Sequence, residues 1–297
     1  MNFDKLCNSI LERVYHGTPH DVVGTFDLQK IGSGEGAQAY GWGLYFAESP
    51  KVAQDYRRGL SHKHLINKVR EVYDELDSPD DATELLKSAG LNQKEINLVQ
   101  ALQKDDFLGF DYPHQAVNAA LKEPQNFELS DETKMAIANM GNLYEVNILA
   151  DKENDFLDWD KNIKEQSDLI KNVFNSIKNI EVSETPVYKK LLNVHGEKIA
   201  NNYIPEIKKR FASIGNTAED GKNFYKDLSF ALGQGEKTSS EFLLKHGIKG
   251  IRYLDQGSRG TGEGTYNYVI FDPKIIQIVA QNGEFVMASK TPENVEV

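Results

Sequence analysis

Two periods organise the apolar positions of this chain. Near the start, and again over residues 246–281, apolar residues come in short glycine-flanked runs rich in aromatic and β-branched side chains, the pattern of strands. Residues 11–15 lead into the turn His16-Gly17-Thr18-Pro19. Residues 43–47 predict a second strand, after which Ser49 and Pro50 suit the cap and first turn of a helix over 51–58. Late in the chain, 250–254, 268–271 and 275–279 read as strands. The middle changes period. Leu65, Ile66, Val69, Val72, Tyr73 and Leu76 fall on one face of an amphipathic helix, which Ser78-Pro79-Asp80 breaks. Shorter helices are predicted near 82–89, 93–102, 114–121 and 130–140, then a strand over 143–149 and an acidic loop over 151–160. Helices follow over 166–177, 184–211 and 239–246, and the tail beyond Asn282 reads as polar and loose.

Composition narrows the function classes. With 39% hydrophobic and 27% charged residues, the chain reads as a globular protein able to bury a core. A net charge of −11 gives it no whole-molecule attraction for phosphate backbones or anionic lipid, although a local basic patch is compatible with it. The single cysteine, Cys7, excludes an internal disulfide or a cysteine-based zinc site and fits a reducing compartment. No signal-peptide pattern and no apolar run of membrane-spanning length is present, so a cytoplasmic protein without membrane or metal is expected. The loop at 32–36 is Gly-x-Gly-x-Gly without a βαβ unit, which excludes a dinucleotide fingerprint of the Rossmann kind. The acids Asp151, Asp155, Asp158 and Asp160 lack the spacing of a calcium loop and read as solvated.

Three segments carry candidate chemistry: Tyr15-His16-Gly17-Thr18, then Tyr40-Gly41-Trp42-Gly43-Leu44-Tyr45-Phe46-Ala47, and Tyr266-Asn267-Tyr268-Val269-Ile270-Phe271-Asp272. Each begins or ends a predicted strand, which sets polar groups at strand edges where a cleft can use them. In this order they resemble the ADP-ribosyltransferase superfamily, in the branch with a His-Tyr-Glu triad. A closer resemblance is to the ADP-ribosyltransferase domain of large polyvalent proteins of phages and mobile elements. It is carried also by Leu143-Tyr144-Glu145-Val146, Leu157-Asp158-Trp159-Asp160, Glu165-Gln166 and Gly247-Ile248-Lys249-Gly250-Ile251.

The resemblance implies an α+β fold. Residues 1–59 and 143–281 would form a discontinuous core, a split and mostly antiparallel pair of sheets around an NAD+ cleft. Residues 60–142 would be a helical insertion and 282–297 a polar tail. NAD+ would be the co-substrate, with His16 on the ribose, Gly17 backbone on the carboxamide, Thr18 beside them, and Tyr45 and Tyr56 around the nicotinamide. At the position of the branch's glutamate stands Asn267, which can hydrogen-bond a ribose hydroxyl but brings neither charge nor a base. Two outcomes stay open: Glu263 supplies the acid from the flexible glycine loop, or the chain works without one. The expected activity is mono-ADP-ribosylation of a macromolecular acceptor, a host protein in preference to nucleic acid, as befits a phage or bacterial effector or toxin. An NAD+ glycohydrolase, an inactive NAD+ or partner-binding module, and a nucleic-acid modifier are the alternatives.

Overall fold

The computed structural model describes residues 13–30, 39–74, 82–103, 109–177, 179–233, 235–260 and 264–286. Glu263 and the glycine loop at 32–36 lie outside the described residues. Eight strands occur among those described: β1 (Val14–Thr18), β2 (Leu44–Ala47), β3 (Asn142–Ile148), β4 (Phe156–Asp158), β5 (Gly250–Leu254), β6 (Tyr266–Ile270), β7 (Ile276–Gln281) and β8 (Glu284–Phe285). Their hydrogen-bonded order is β4-β5-β6-β2-β1-β3-β7-β8. β2, β6 and β5 form antiparallel ladders, and β4 joins β5 in parallel. Where β1 meets β2, the pairing is antiparallel and its register is the pair Tyr15↔Ala47.

Eleven helices accompany the strands among the described residues: α1 (Pro50–Asp74), α2 (Ala82–Ser88), α3 (Gln93–Gln103), α4 (Pro113–Lys122), α5 (Asp131–Ala138), α6 (Asp168–Ile177), α7 (Pro186–His195), α8 (Glu197–Asn202), α9 (Ile204–Thr217), α10 (Gly221–Leu232) and α11 (Glu236–Lys245). The fold is α+β.

The chain separates into two compact units. Of the described residues, one unit takes those up to His16, those within Val22–Pro50 and those from Glu145 onward; the other takes Gly17–Asp21 and those within Lys51–Tyr144. In the first, Ile170, Phe211, Phe224, Leu228 and Leu243 from the helices pack with Leu157, Ile251 and Val269 from the strands. In the second, Leu65, Val69 and Val72 of α1 pack against Leu86, Val99 and Val117. Burying each such side chain contributes about 1.5–3 kcal/mol relative to leaving it exposed.

Several local expectations need correction. Residues 50–74 form one unbroken helix rather than two, because Gly59 in its middle lowers helix preference without preventing propagation. The expected helix over 184–211 is three helices, interrupted at Gly196 and at Tyr203, two residues before Pro205. Helix α10 was not expected; it starts on the Asp220 side chain, which accepts the Asn223 N–H at 2.7 Å. Residues 156–158 form β4 rather than an acidic loop, and Asp158 is buried, not solvated. Beyond Asn282 the chain first makes a hairpin. Asn282 (φ 52°) and Gly283 (φ 84°) form a tight two-residue turn that pairs β7 with β8.

Candidate active site

His16 lies on β1, with its ring 5.0 Å from Phe26 in an edge contact and 5.3 Å from Phe46. Its Nδ1 is 2.7 Å from the Tyr45 carbonyl oxygen. A carbonyl only accepts, so Nδ1 carries the proton and donates, and the neutral ring keeps Nε2 as an acceptor. Burial holds the imidazole pKa below its usual value, opposed in part by the bond to Tyr45, so the ring is neutral at pH 7.

Tyr45, on β2, donates its hydroxyl to the Gly41 carbonyl at 2.7 Å and accepts the Tyr40 N–H at 3.3 Å. The phenol is thus fixed against the loop that precedes its own strand. That loop is anchored in turn. Trp42 N–H donates to the Tyr225 hydroxyl at 3.2 Å, and Ser240 Oγ donates to the Trp42 carbonyl at 2.7 Å. Burial pushes the Tyr225 phenol up to about 12, so it stays protonated in this network. Both motif glycines are packing requirements. A Cβ on Gly41 (φ +107°) would lie 2.9 Å from Ile251 Cδ1, and one on Gly43 2.7 Å from the Ile270 carbonyl.

Asn267 stands on β6, opposite Ala47 of β2 and Tyr253 of β5. Residues directly opposite in a ladder share a face, so Tyr45, Ala47, Val269, Asn267 and Tyr253 project together. Asn267 is 8% exposed, and its Oδ1 is buried without a hydrogen-bond partner. On the same side Tyr40 stacks on Tyr253 at 3.8 Å. Arg259 covers the Tyr40 ring at 4.9 Å and pairs with Asp160 at 3.2 Å, so it is already engaged.

The opposite face of these strands is closed by its own partners. Arg252 Nε donates to Asp158 at 2.9 Å, both nearly fully buried. Glu48, which follows Ala47, accepts the Tyr268 hydroxyl at 2.5 Å and the Tyr266 N–H at 2.8 Å. A cavity of about 390 Å³ opens beside Asp158, Asp160, Lys161, Leu254, Arg259 and Tyr266, and neither Tyr45 nor Asn267 lines it.

His16, Tyr45 and Asn267 therefore sit on three neighbouring strands, β1, β2 and β6. Gly17, Thr18 and Tyr56 belong to the other compact unit. There Thr18 Oγ1 accepts the His20 N–H at 3.2 Å, and Tyr56 on α1 is 59% exposed. The supports supplied by Phe26, Tyr225 and Ser240 carried no motif signal, whereas Phe46 lay inside one. Among the described residues no cluster of three metal-ligating side chains occurs, and no helix is long and apolar enough to cross a membrane.

No curated protein and no solved structure matches the chain. A family model does, that of the ADP-ribosyltransferase in polyvalent proteins, over residues 10–285, nearly the whole chain. The chain belongs to this family of ADP-ribosyltransferases.

Proposed function

We propose that the chain transfers a single ADP-ribose from NAD+ to a macromolecular acceptor, a protein in preference to nucleic acid, with release of nicotinamide. One observation carries this reading. On β6 the Oδ1 of Asn267 is buried and unpartnered, on the face that Tyr45 shares, and on β1, beyond β2, His16 is locked by the Tyr45 carbonyl with Nε2 left to accept. A buried acceptor without a donor costs about 1–3 kcal/mol, and a sugar hydroxyl is a donor that relieves it. Asn267 thus suits a hydroxyl of a ribose and Tyr45, on the same face, offers an aromatic ring for the nicotinamide. The Tyr15↔Ala47 register sets His16 on the Phe46 side, and His16 enters this reading by motif position.

NAD+ supplies a nicotinamide–ribose bond that breaks through a cationic, oxocarbenium-like state, after which the acceptor's nucleophile takes the ribose carbon. The chain's residues bind and orient. Asn267 adds no negative charge and cannot take a proton from an acceptor hydroxyl, which favours one transfer over chain growth. Gly17, Thr18 and Tyr56 enter this reading by motif position, Tyr56 as a second ring for the nicotinamide. Glu263 is the alternative source of an acid. The acidic composition favours a protein acceptor over nucleic acid. Action in a cytoplasm as a phage or bacterial effector follows the polyvalent-protein resemblance. A second reading, NAD+ binding without turnover, is favoured by the same Asn267.

NAD+ labelled in its adenylate, incubated with the chain and a cell lysate, distinguishes these readings. Free nicotinamide together with protease-sensitive label is the expected result. Label that resists protease but not nuclease moves the acceptor to nucleic acid, and nicotinamide without label indicates a glycohydrolase. Absence of both refutes transfer.

A further inference from the structure

The hydroxyls of Tyr45 and Tyr225 meet on a single peptide group. Tyr45 Oη donates to the Gly41 carbonyl at 2.7 Å, and the Trp42 N–H donates to Tyr225 Oη at 3.2 Å. That carbonyl and that N–H belong to one planar trans unit and point to opposite sides of it. The plane therefore cannot tilt at one hydroxyl without moving at the other. The next peptide is held as well. Ser240 Oγ donates to the Trp42 carbonyl at 2.7 Å, and Lys237 of the same helix, α11, lies over the Trp42 ring at 5.3 Å.

The proton count closes. Ser240 gives its one hydroxyl proton to Trp42. Tyr225 then donates its own to Ser240 Oγ or to the Glu236 carbonyl, each 2.8 Å away, and its oxygen accepts the Trp42 N–H in either case. Tyr225 and Ser240 are both fully buried, so water does not replace a bond that either loses. The restraint falls where the chain restrains itself least, because Trp42 stands between Gly41 and Gly43. All of these residues belong to one compact unit.

From this geometry we infer that Tyr225 and Ser240 are positioning residues: by gripping the two peptides of Trp42 they hold the Tyr45 ring in place to receive nicotinamide. The role given to Tyr45 rests on the proposed function; the hold on its loop does not. Two measurements on the full chain test both parts, with Tyr225→Phe, which keeps the ring and removes only the hydroxyl, and with Ser240→Ala. Tyr188→Phe is the control, a buried tyrosine whose hydroxyl bonds Asn201 instead, at 2.6 Å. Circular dichroism checks that each variant folds. Hydrogen exchange read by mass spectrometry needs no ligand. Amides over residues 40–45 should exchange about tenfold faster in Tyr225→Phe and in Ser240→Ala, and at the wild-type rate in Tyr188→Phe. Calorimetry then compares NAD+ with ADP-ribose, which lacks the nicotinamide. Tyr225→Phe is expected to weaken NAD+ about tenfold, and Ser240→Ala less, with ADP-ribose within about twofold of the wild type in both. A merely structural loss would weaken the two ligands alike. Where the wild type prefers NAD+, equal changes for the two ligands overturn the assignment, as does unchanged exchange over 40–45 in the folded variants. A wild type without that preference sinks the nicotinamide reading of Tyr45, while faster exchange in the variants leaves the hold on the loop standing.

Discussion

The two faces of the β2–β6–β5 ladder treat their polar groups in opposite ways. On one, Arg252 is answered by Asp158, and Tyr268 donates to Glu48. Burial and that carboxylate together raise the Tyr268 phenol's pKa, which keeps it a donor. On the other, Asn267 is about as buried as Arg252, yet its Oδ1 finds no donor. The first face is complete when the chain folds. On the second, Asn267 Oδ1 is left without a donor, and in the proposed function a ligand hydroxyl supplies it. Burial and polarity are alike on both faces, so completeness of partners separates the structural residue from the candidate binding residue.

Substitutions that break this contrast differ in size. Asp158→Ala strands a buried guanidinium and is expected to lower stability by about 3–5 kcal/mol, read from urea unfolding at pH 7. An unchanged midpoint would show that the paired face contributes nothing. His16→Ala removes one positioned acceptor and should slow NAD+ turnover by about 100-fold, measured as nicotinamide release. Asn267→Ala should slow turnover about tenfold while changing stability by less than about 1 kcal/mol, since its Oδ1 has no bond to lose. A stability loss as large as that of Asp158→Ala would erase the difference between the faces.

The smallest effect is on pH dependence. The His16 pKa is lowered in the folded chain, so the unfolded chain binds the extra proton more readily. The stability due to His16 is full above the ordinary histidine range near pH 6.5. It declines as pH falls toward and through the lowered value, by at most about 1.4 kcal/mol per pH unit. His62, also lowered by burial, acts in the same direction. The difference between wild type and His16→Asn therefore isolates the His16 share, and parallel stability curves for the two would contradict it.

The sequence shows some of this plainly and hides the rest for physical reasons. The α1 face Leu65, Val69 and Val72 is legible because helical periodicity and burial coincide there. Helix α10 had a comparable signal in Phe224, Tyr225, Leu228, Ala231 and Leu232, masked by its opening Gly221, which is glycine because a Cβ would press on the Asp158 backbone. β4 was hidden because its Asp158 looks solvated until Arg252, 94 residues away in sequence, is placed against it. At the candidate site, the identities of His16, Tyr45 and Asn267 stand in the motifs. The tautomer of His16 and the unpartnered Oδ1 of Asn267 depend on contacts between strands far apart in the chain, which no local pattern encodes.

The most direct test of transfer from NAD+ follows nicotinamide release and single ADP-ribose additions on the acceptor by mass spectrometry, for wild type and His16→Ala side by side. The expected result is release matched by single additions in the wild type, with both reduced about 100-fold in a folded His16→Ala chain. Release and addition at equal rates in the two proteins, or neither in the wild type, would contradict the account.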